Sequence, residues 1–278
     1  MKCPWTQLIG ILPQTIRREV DTVGRDKLQE LRLRLGKPGE MVLADRVYTL
    51  RGVVTAEEIQ YVVNTASRYS PWAAATVSQG FLTAGGGHRI GLCGQCTYHE
   101  GRVLGIRNVT SLCIRVARDF EGLSRGISLR SSVLVLGPPG SGKTTLLRDL
   151  IRRIANEGRG SIAVVDERGE LFPKEACFAW GRQMDVMTGC DKRRGIDMVL
   201  RTMGPAWIAV DEITSEADCQ GLVQAGWCGV SLVASAHASG KEDLISRPVY
   251  RPLVESGLFD TLVILKPDKS WTCERMGV

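Results

Sequence analysis

The apolar and polar positions change rhythm midway along the chain. Residues Pro13 to Val23 place Ile16, Val20 and Val23 on one side of a short amphipathic helix. Leu31, Leu33 and Leu35 then alternate with Arg32 and Arg34, the period of a half-buried strand. Gly36 to Gly39 supply a turn, and Met41–Leu43 and Val47–Leu50 form a hairpin around Ala44, Asp45 and Arg46. Thr55 and Glu58 have capping-box spacing ahead of Ile59, Val62, Val63 and Ala66, which share a helical face; Ser70-Pro71 ends that helix. Short strands follow at Phe81–Ala84, Arg89–Tyr98, Val103–Arg107 and Leu112–Val116, with turns at Gly85–Gly87 and His99–Gly101. The first part is therefore expected to be α+β with an antiparallel sheet.

Strand and helix patterns alternate from about Leu129, which predicts a parallel sheet covered on both faces. The expected strands are Val133–Leu136, Ser161–Val165, Trp207–Val210, Val230–Ala236 and Leu258–Leu265. The expected helices start after residue 142 and span Asp191–Met203, Ser215–Ala225 and Pro248–Ser256. Glu121 to Arg130, with Gly122 and Gly126, is the expected hinge. Two domains follow: residues 1–125, smaller and α+β, and residues 126–278, α/β.

Between the first of these strands and its helix lies Gly137-Pro138-Pro139-Gly140-Ser141-Gly142-Lys143-Thr144-Thr145, which has the G-x-x-x-x-G-K-[ST] spacing. Glycines let backbone N–H groups curl round a polyphosphate, and the helix aims its positive end at the anion. All nine residues are expected to contact nucleotide phosphates. Lys143 reaches the β/γ-phosphates and Thr144 ligates Mg²⁺. ATP and Mg²⁺ are the cofactors this loop implies.

Two further strands end in acid pairs. Asp211-Glu212 fits the second half of such a site, with Asp211 serving the metal and Glu212 polarising the attacking water. The bland alternative is that both acids favour the next helix N-terminus. Asp166-Glu167 follows the strand after the phosphate loop, and either it or Glu212 is placed to act as base. Its alternative is a polar turn with Arg168 in an ion pair. His237 ends a third strand and is expected to sense the γ-phosphate. Cys93 and Cys96 are spaced like metal or redox pairs, but no second ligand pair follows, so packing is the better reading. Arg89, Arg107 and Arg115 are singly surface arginines; together they are candidates for phosphate contacts.

Composition changes this picture little. The 278 residues hold 9 cysteines and a net charge of +6, and no apolar run approaches the ~20 residues that span a bilayer. The apolar segment before Leu12 is too short for a signal peptide, so a cytoplasmic protein with reduced thiols is expected. Scattered arginines allow a solvated surface, nucleic acid or an anionic membrane face.

The order of these motifs resembles the secretion ATPases of type II and type IV systems. More closely, GGGHRIGLCGQ (85–95), GPPGSGKTTLLRDLIR (137–152), VVDERGEL (164–171), DVMTGCDK (185–192) and LRTMGPAWIAVDEI (200–213) resemble the stage III sporulation protein AA family. The resemblance runs from about residue 28 to 265 and is weakest over 174–182. It implies a RecA-like P-loop ATPase working as a homo-hexamer. The implied position is peripheral on the cytoplasmic face of the membrane, with membrane proteins of a mother-cell–forespore channel as partners. It also maps Glu167 to the Asp box, Asp211 and Glu212 to Walker B, and His237 to the His box. Arg89, Arg107 and Arg115 are its candidate phosphate contacts. Asp211-Glu212 departs from the Gly-Glu frequent in secretion enzymes and leaves the base unassigned between the two glutamates. The rival reading is a nucleic-acid-dependent RecA-type ATPase, though the chain carries no aromatic-interleaved basic strand.

Overall fold

The computed structural model describes residues 2–67, 77–78, 80–173 and 178–277. The helix end expected at Ser70-Pro71 lies outside them, as do four residues of the stretch where the resemblance is weakest. Contacts divide the chain into two units, one running to Asp119 and the other taking in Phe120–Phe172 and Phe178 onward.

The first unit contains α1 (Trp5–Gly10), α2 (Gln14–Val23), β1 (Glu30–Arg34), β2 (Glu40–Val42), β3 (Val47–Thr49), α3 (Ala56–Ser67), β4 (Phe81–Ala84), β5 (His88–His99) and β6 (Arg102–Arg115). Its sheet has the order β3-β2-β1-β6-β5-β4 and every pairing is antiparallel. Alternation buries Leu31 and Leu33 against Leu8, Val20, Ile59 and Val62, and leaves Arg32 outside. Leu35 falls past the end of β1 and is exposed, because the chain turns there to bridge Val54. The capping box forms as the sequence predicts: Glu58 N–H donates to Thr55 Oγ1 (3.2 Å) and Thr55 N–H to Glu58 Oε2 (3.0 Å).

The two strands expected at 103–107 and 112–116 are one, β6. Asn108 reads as a break but takes a left-handed φ of 47° inside a bulge, where Cys93 to Gln95 on β5 face Arg107 to Ser111.

The second unit contains β7 (Val133–Leu136), α4 (Lys143–Asn156), β8 (Ile162–Asp166), β9 (Met184–Thr188), α5 (Lys192–Met203), β10 (Trp207–Ile213), α6 (Glu216–Trp227), β11 (Ser231–Ala236), α7 (Lys241–Ser246), α8 (Arg251–Ser256), β12 (Thr261–Leu265) and β13 (Trp271–Arg275). The strand order is β13-β12-β7-β11-β10-β8-β9, parallel throughout except for the antiparallel edge β13. Successive residues of β7 serve opposite cores. Val133 and Val135 pack with Leu147, Leu150 and Ile151 of α4, whereas Leu134 and Leu136 pack with Ile196, Leu222 and Leu253 of α5, α6 and α8. Pro248–Ser256 is not one helix but a 3₁₀ turn, Pro248–Tyr250, followed by α8.

The segment read as a hinge is tied to the second unit. Asp149 on α4 accepts the N–H groups of Gly122 (2.9 Å) and Ser124 (2.8 Å) and the Ser124 hydroxyl (2.8 Å). Arg153 donates to Ile127 O (2.6 Å), and the Trp271 indole to Leu123 O (3.2 Å). The glycines of this segment thus lie beside residues that are hydrogen-bonded to α4.

Candidate nucleotide site

The site is built where β7, β8, β10 and β11 end, and it begins with the loop after β7. A Cβ on Gly137 would lie 2.6 Å from Ser141 Oγ and 3.0 Å from Leu265 Cβ, so only glycine lets the loop fold this tightly. Gly142 caps α4 with φ 99°, a left-handed conformation that spares the helix entry any strain. The hydroxyl of Ser141 is buried without a hydrogen-bond partner among the described residues. An orphaned donor inside a glycine cradle at a helix N-terminus suits a phosphate oxygen.

Lys143 opens α4 and is buried. Its ammonium donates to Gly137 O (2.9 Å) and Pro138 O (3.0 Å), and it lies 2.9 Å from Nδ1 of His237. Burial pushes its pKa down, with the charges of Asp211 and Glu212 opposing. An ammonium has no lone pair, so Nδ1 must accept. The imidazole is then neutral with its proton on Nε2, which donates to Glu212 Oε1 at 3.0 Å. Glu212 Oε2 in turn accepts from Arg168 Nη1 at 3.3 Å. Lys143, His237, Glu212 and Arg168 thus form one chain of hydrogen bonds across the ends of four strands.

The two acids on β10 sit within a bulge. Val210 pairs with Ala234 and Ile213 with Ala236, so three steps on β10 face two on β11. Glu212 takes up the difference with φ 52°. Ser235, fully buried on β11, holds both acids: its Oγ accepts Glu212 N–H at 2.9 Å and donates to Asp211 Oδ1 at 2.5 Å. One Asp211 oxygen is thereby fixed, and the other would serve a metal-bound water if Mg²⁺ is held here. With Thr144 in the first turn of α4, this donor set fits Mg²⁺ on a bound triphosphate, where phosphate oxygens and water supply most ligands.

Asp166 and Glu167 divide their labour. Asp166 is buried and accepts the N–H groups of Glu170 (2.9 Å), Leu171 (2.9 Å) and Phe172 (3.0 Å). Burial pushes its pKa up to about 6, with the charge of Asp211 adding to it and the Phe172 and Leu171 amides and Arg148 opposing. Arg148 of α4 holds the same loop from its other side, donating to Leu171 O (2.5 Å) and Glu170 O (2.8 Å), and its guanidinium lies 4.4 Å from the Phe178 ring centre. Glu167 is therefore presented by a rigid turn, with Lys192 Nζ 2.6 Å from its Oε2. Asp166, Glu167, Glu170, Asp211 and Glu212 line one pocket with Arg168 and Lys192.

The candidates named from the sequence divide into two groups. Lys143, Glu212 and His237 are in direct contact; Asp211 joins them through Ser235, and Glu167 through the shared pocket. Arg89, Arg107 and Arg115 belong to the sheet of the first unit. Arg89 pairs across from Arg115 and stacks 4.2 Å from the Phe81 ring centre. Arg107 lies eight residues from Arg115 along β6, about 26 Å at strand rise, so the three do not converge on one point. Ser235, Lys192 and Arg148 were not read as site residues.

A glycine loop between a parallel strand and a helix, with acids and a histidine at the ends of neighbouring strands, defines a RecA-like P-loop nucleotide-binding fold. The family described as "Sporulation stage III, protein AA" matches residues 5–274, and the chain belongs to it. The chain is 31% identical over 284 aligned positions to "Stage III sporulation protein AA" of Bacillus subtilis (strain 168), covering 95% of this chain and 91% of that one. Among solved structures it resembles the pilus retraction motor PilT with bound ADP (TM-score 0.62, 16% identity, 90% of this chain and 76% of that one). It also resembles the Legionella pneumophila ATPase DotB (TM-score 0.58, 15% identity, 89% and 76%). These likenesses show the fold. Among the described residues no helix is long and apolar enough to cross a membrane.

Proposed function

We propose that this protein is a Mg²⁺-dependent ATPase, converting ATP and water to ADP and phosphate, and that it works as a secretion-type motor in sporulation. The observation that carries the reading is the Lys143–His237–Glu212 chain, which joins the phosphate loop to an acid at a neighbouring strand end. The ADP bound to PilT and the sporulation name of the Bacillus subtilis relative support it.

Thr144 and Asp211 would hold Mg²⁺, whose charge offsets that of the phosphate oxygens. The β/γ-phosphates give Lys143 an anionic partner in place of two carbonyls and an imidazole. His237, released from Lys143, would take a proton on Nδ1 and donate it to the γ-phosphate end of the substrate. Glu212 or Glu167 takes the proton from the attacking water. Arg89, Arg107 and Arg115 are retained as candidate contacts to the phosphates. In this reading the protein assembles as a hexamer at the membrane and energises a channel complex between mother cell and forespore.

Steady-state phosphate release by wild type, Glu212→Gln and Glu167→Gln, with and without DNA, tests the reading. Loss of turnover in a glutamate variant, indifferent to DNA, is expected and names the base. Strong activation by DNA that falls with salt would instead make it a nucleic-acid motor.

A further inference from the structure

Lys192 is a cation in an unfavourable place. Its side chain is 6% exposed, and it occupies the first position of α5, where the helix dipole opposes positive charge. An apolar side chain of similar length would suit both the burial and the helix end better. Its backbone is fixed by the Asp191 cap, whose Oδ1 accepts Arg194 N–H at 2.9 Å. Its ammonium is 2.6 Å from Glu167 Oε2 and 3.9 Å from Asp218 Oδ2. Asp218 does not depend on it, since the same oxygen accepts Thr214 N–H (2.9 Å), Ser215 N–H (3.1 Å) and the Thr214 hydroxyl (3.2 Å).

Glu167 has more need of it. Its side chain is 38% exposed, and it shares a pocket with four other carboxyl groups. Repulsion from those neighbours favours a rotamer turned out to solvent. An ammonium anchored by a buried stem opposes that by holding one oxygen in place.

We propose that Lys192 is the positioning residue for Glu167: it fixes Oε2 so that Oε1 is presented in the acidic pocket to the attacking water. The proposal rests on the ATPase reading above. Lys192 touches neither phosphate nor water in this scheme, and it acts only through Glu167.

The test compares wild type with Lys192→Met, Glu167→Gln and the double variant in ATP turnover. Lys192→Met is expected to lower kcat about 100-fold, the scale of a displaced catalytic group, with KM for ATP changed less than about twofold. In the Glu167→Gln background the same change is expected to add nothing, because the group it positions is already inactive. An unchanged kcat in Lys192→Met, or losses that multiply in the double variant, would overturn the proposal. So would a Glu167→Gln protein with full turnover, an outcome that leaves the ATPase reading standing.

A second readout does not need turnover: retention of Mg²⁺, ADP and aluminium fluoride, a mimic of the transition state. Lys192→Met should bind ADP like wild type but release the trapped complex at least tenfold faster. Equal retention by both overturns the proposal, even where hydrolysis is absent and the ATPase reading has failed. A wild type that neither hydrolyses nor traps overturns both. Should Lys192→Met not fold, as judged by its thermal transition, Lys192→Gln takes its place under the same criteria.

Discussion

Lys143 Nζ lies 2.9 Å from Nδ1 of His237, and that contact sets the protonation state on both sides of it. The ammonium can only donate, so His237 is neutral and carries its proton on Nε2, where Glu212 accepts it. The phosphate-loop lysine and the strand-end glutamate are thus in communication through one ring.

Replacing His237 by alanine therefore separates binding from turnover. His237 is proposed to meet only the γ-phosphate, which ADP lacks, so ADP affinity is expected to stay within about twofold of wild type by calorimetry. Turnover is expected to fall at least tenfold, the lower range for loss of a positioned polar group in a transition state. Equal losses in binding and turnover would make His237 a structural partner of the lysine only.

Ser235→Ala removes one oxygen that serves both β10 acids. The Glu212 N–H then loses its acceptor beside a buried strand, a cost of about 1–3 kcal/mol in stability. Ser235 holds the backbone of Glu212 at φ 52°, while His237 and Arg168 hold only its carboxylate, so turnover is expected to fall more than stability alone explains. Chemical denaturation alongside phosphate release checks this; a variant that is less stable but fully active contradicts it.

Asp166 gives a pH dependence of definite sign. Its folded-state pKa of about 6 lies above the ordinary 3.8. Its contribution to stability is therefore full below the ordinary value and lost as pH rises through about 6. Between pH 5 and pH 7 that loss is about 1 kcal/mol. In Asp166→Asn this component disappears, and stability also drops at every pH because an amide cannot accept all three N–H groups. Urea midpoints of both proteins at pH 5 and pH 7 measure it. An equal pH slope in the two proteins would contradict the assignment.

The parts of this site legible in the sequence are those whose chemistry requires a fixed spacing. The phosphate loop, the acids at the ends of β8 and β10 and the histidine after β11 each go with a short apolar run that suits a buried strand. The supporting residues carry no such signature. Ser235 sits inside Ala234-Ser235-Ala236, which reads as small core residues, and its role arises from a bulge on the neighbouring strand. Lys192 looks like a solvated helix residue until α5 and α6 pack around it. Strands β9 and β13 escaped because both are short sheet edges, half exposed, where neither alternation nor an apolar run is required. Asp149 carries no such signature either within the amphipathic helix after the loop, yet it binds the backbone of Gly122 and Ser124.

In the proposed function the loop around Lys143 binds ATP for hydrolysis. Steady-state phosphate release with Mg²⁺, wild type against Lys143→Ala, tests it most directly. Turnover by wild type is expected to fall at least 100-fold in the variant, together with loss of ATP binding. Equal hydrolysis by the two proteins would contradict it, as would a wild type that binds no ATP at all.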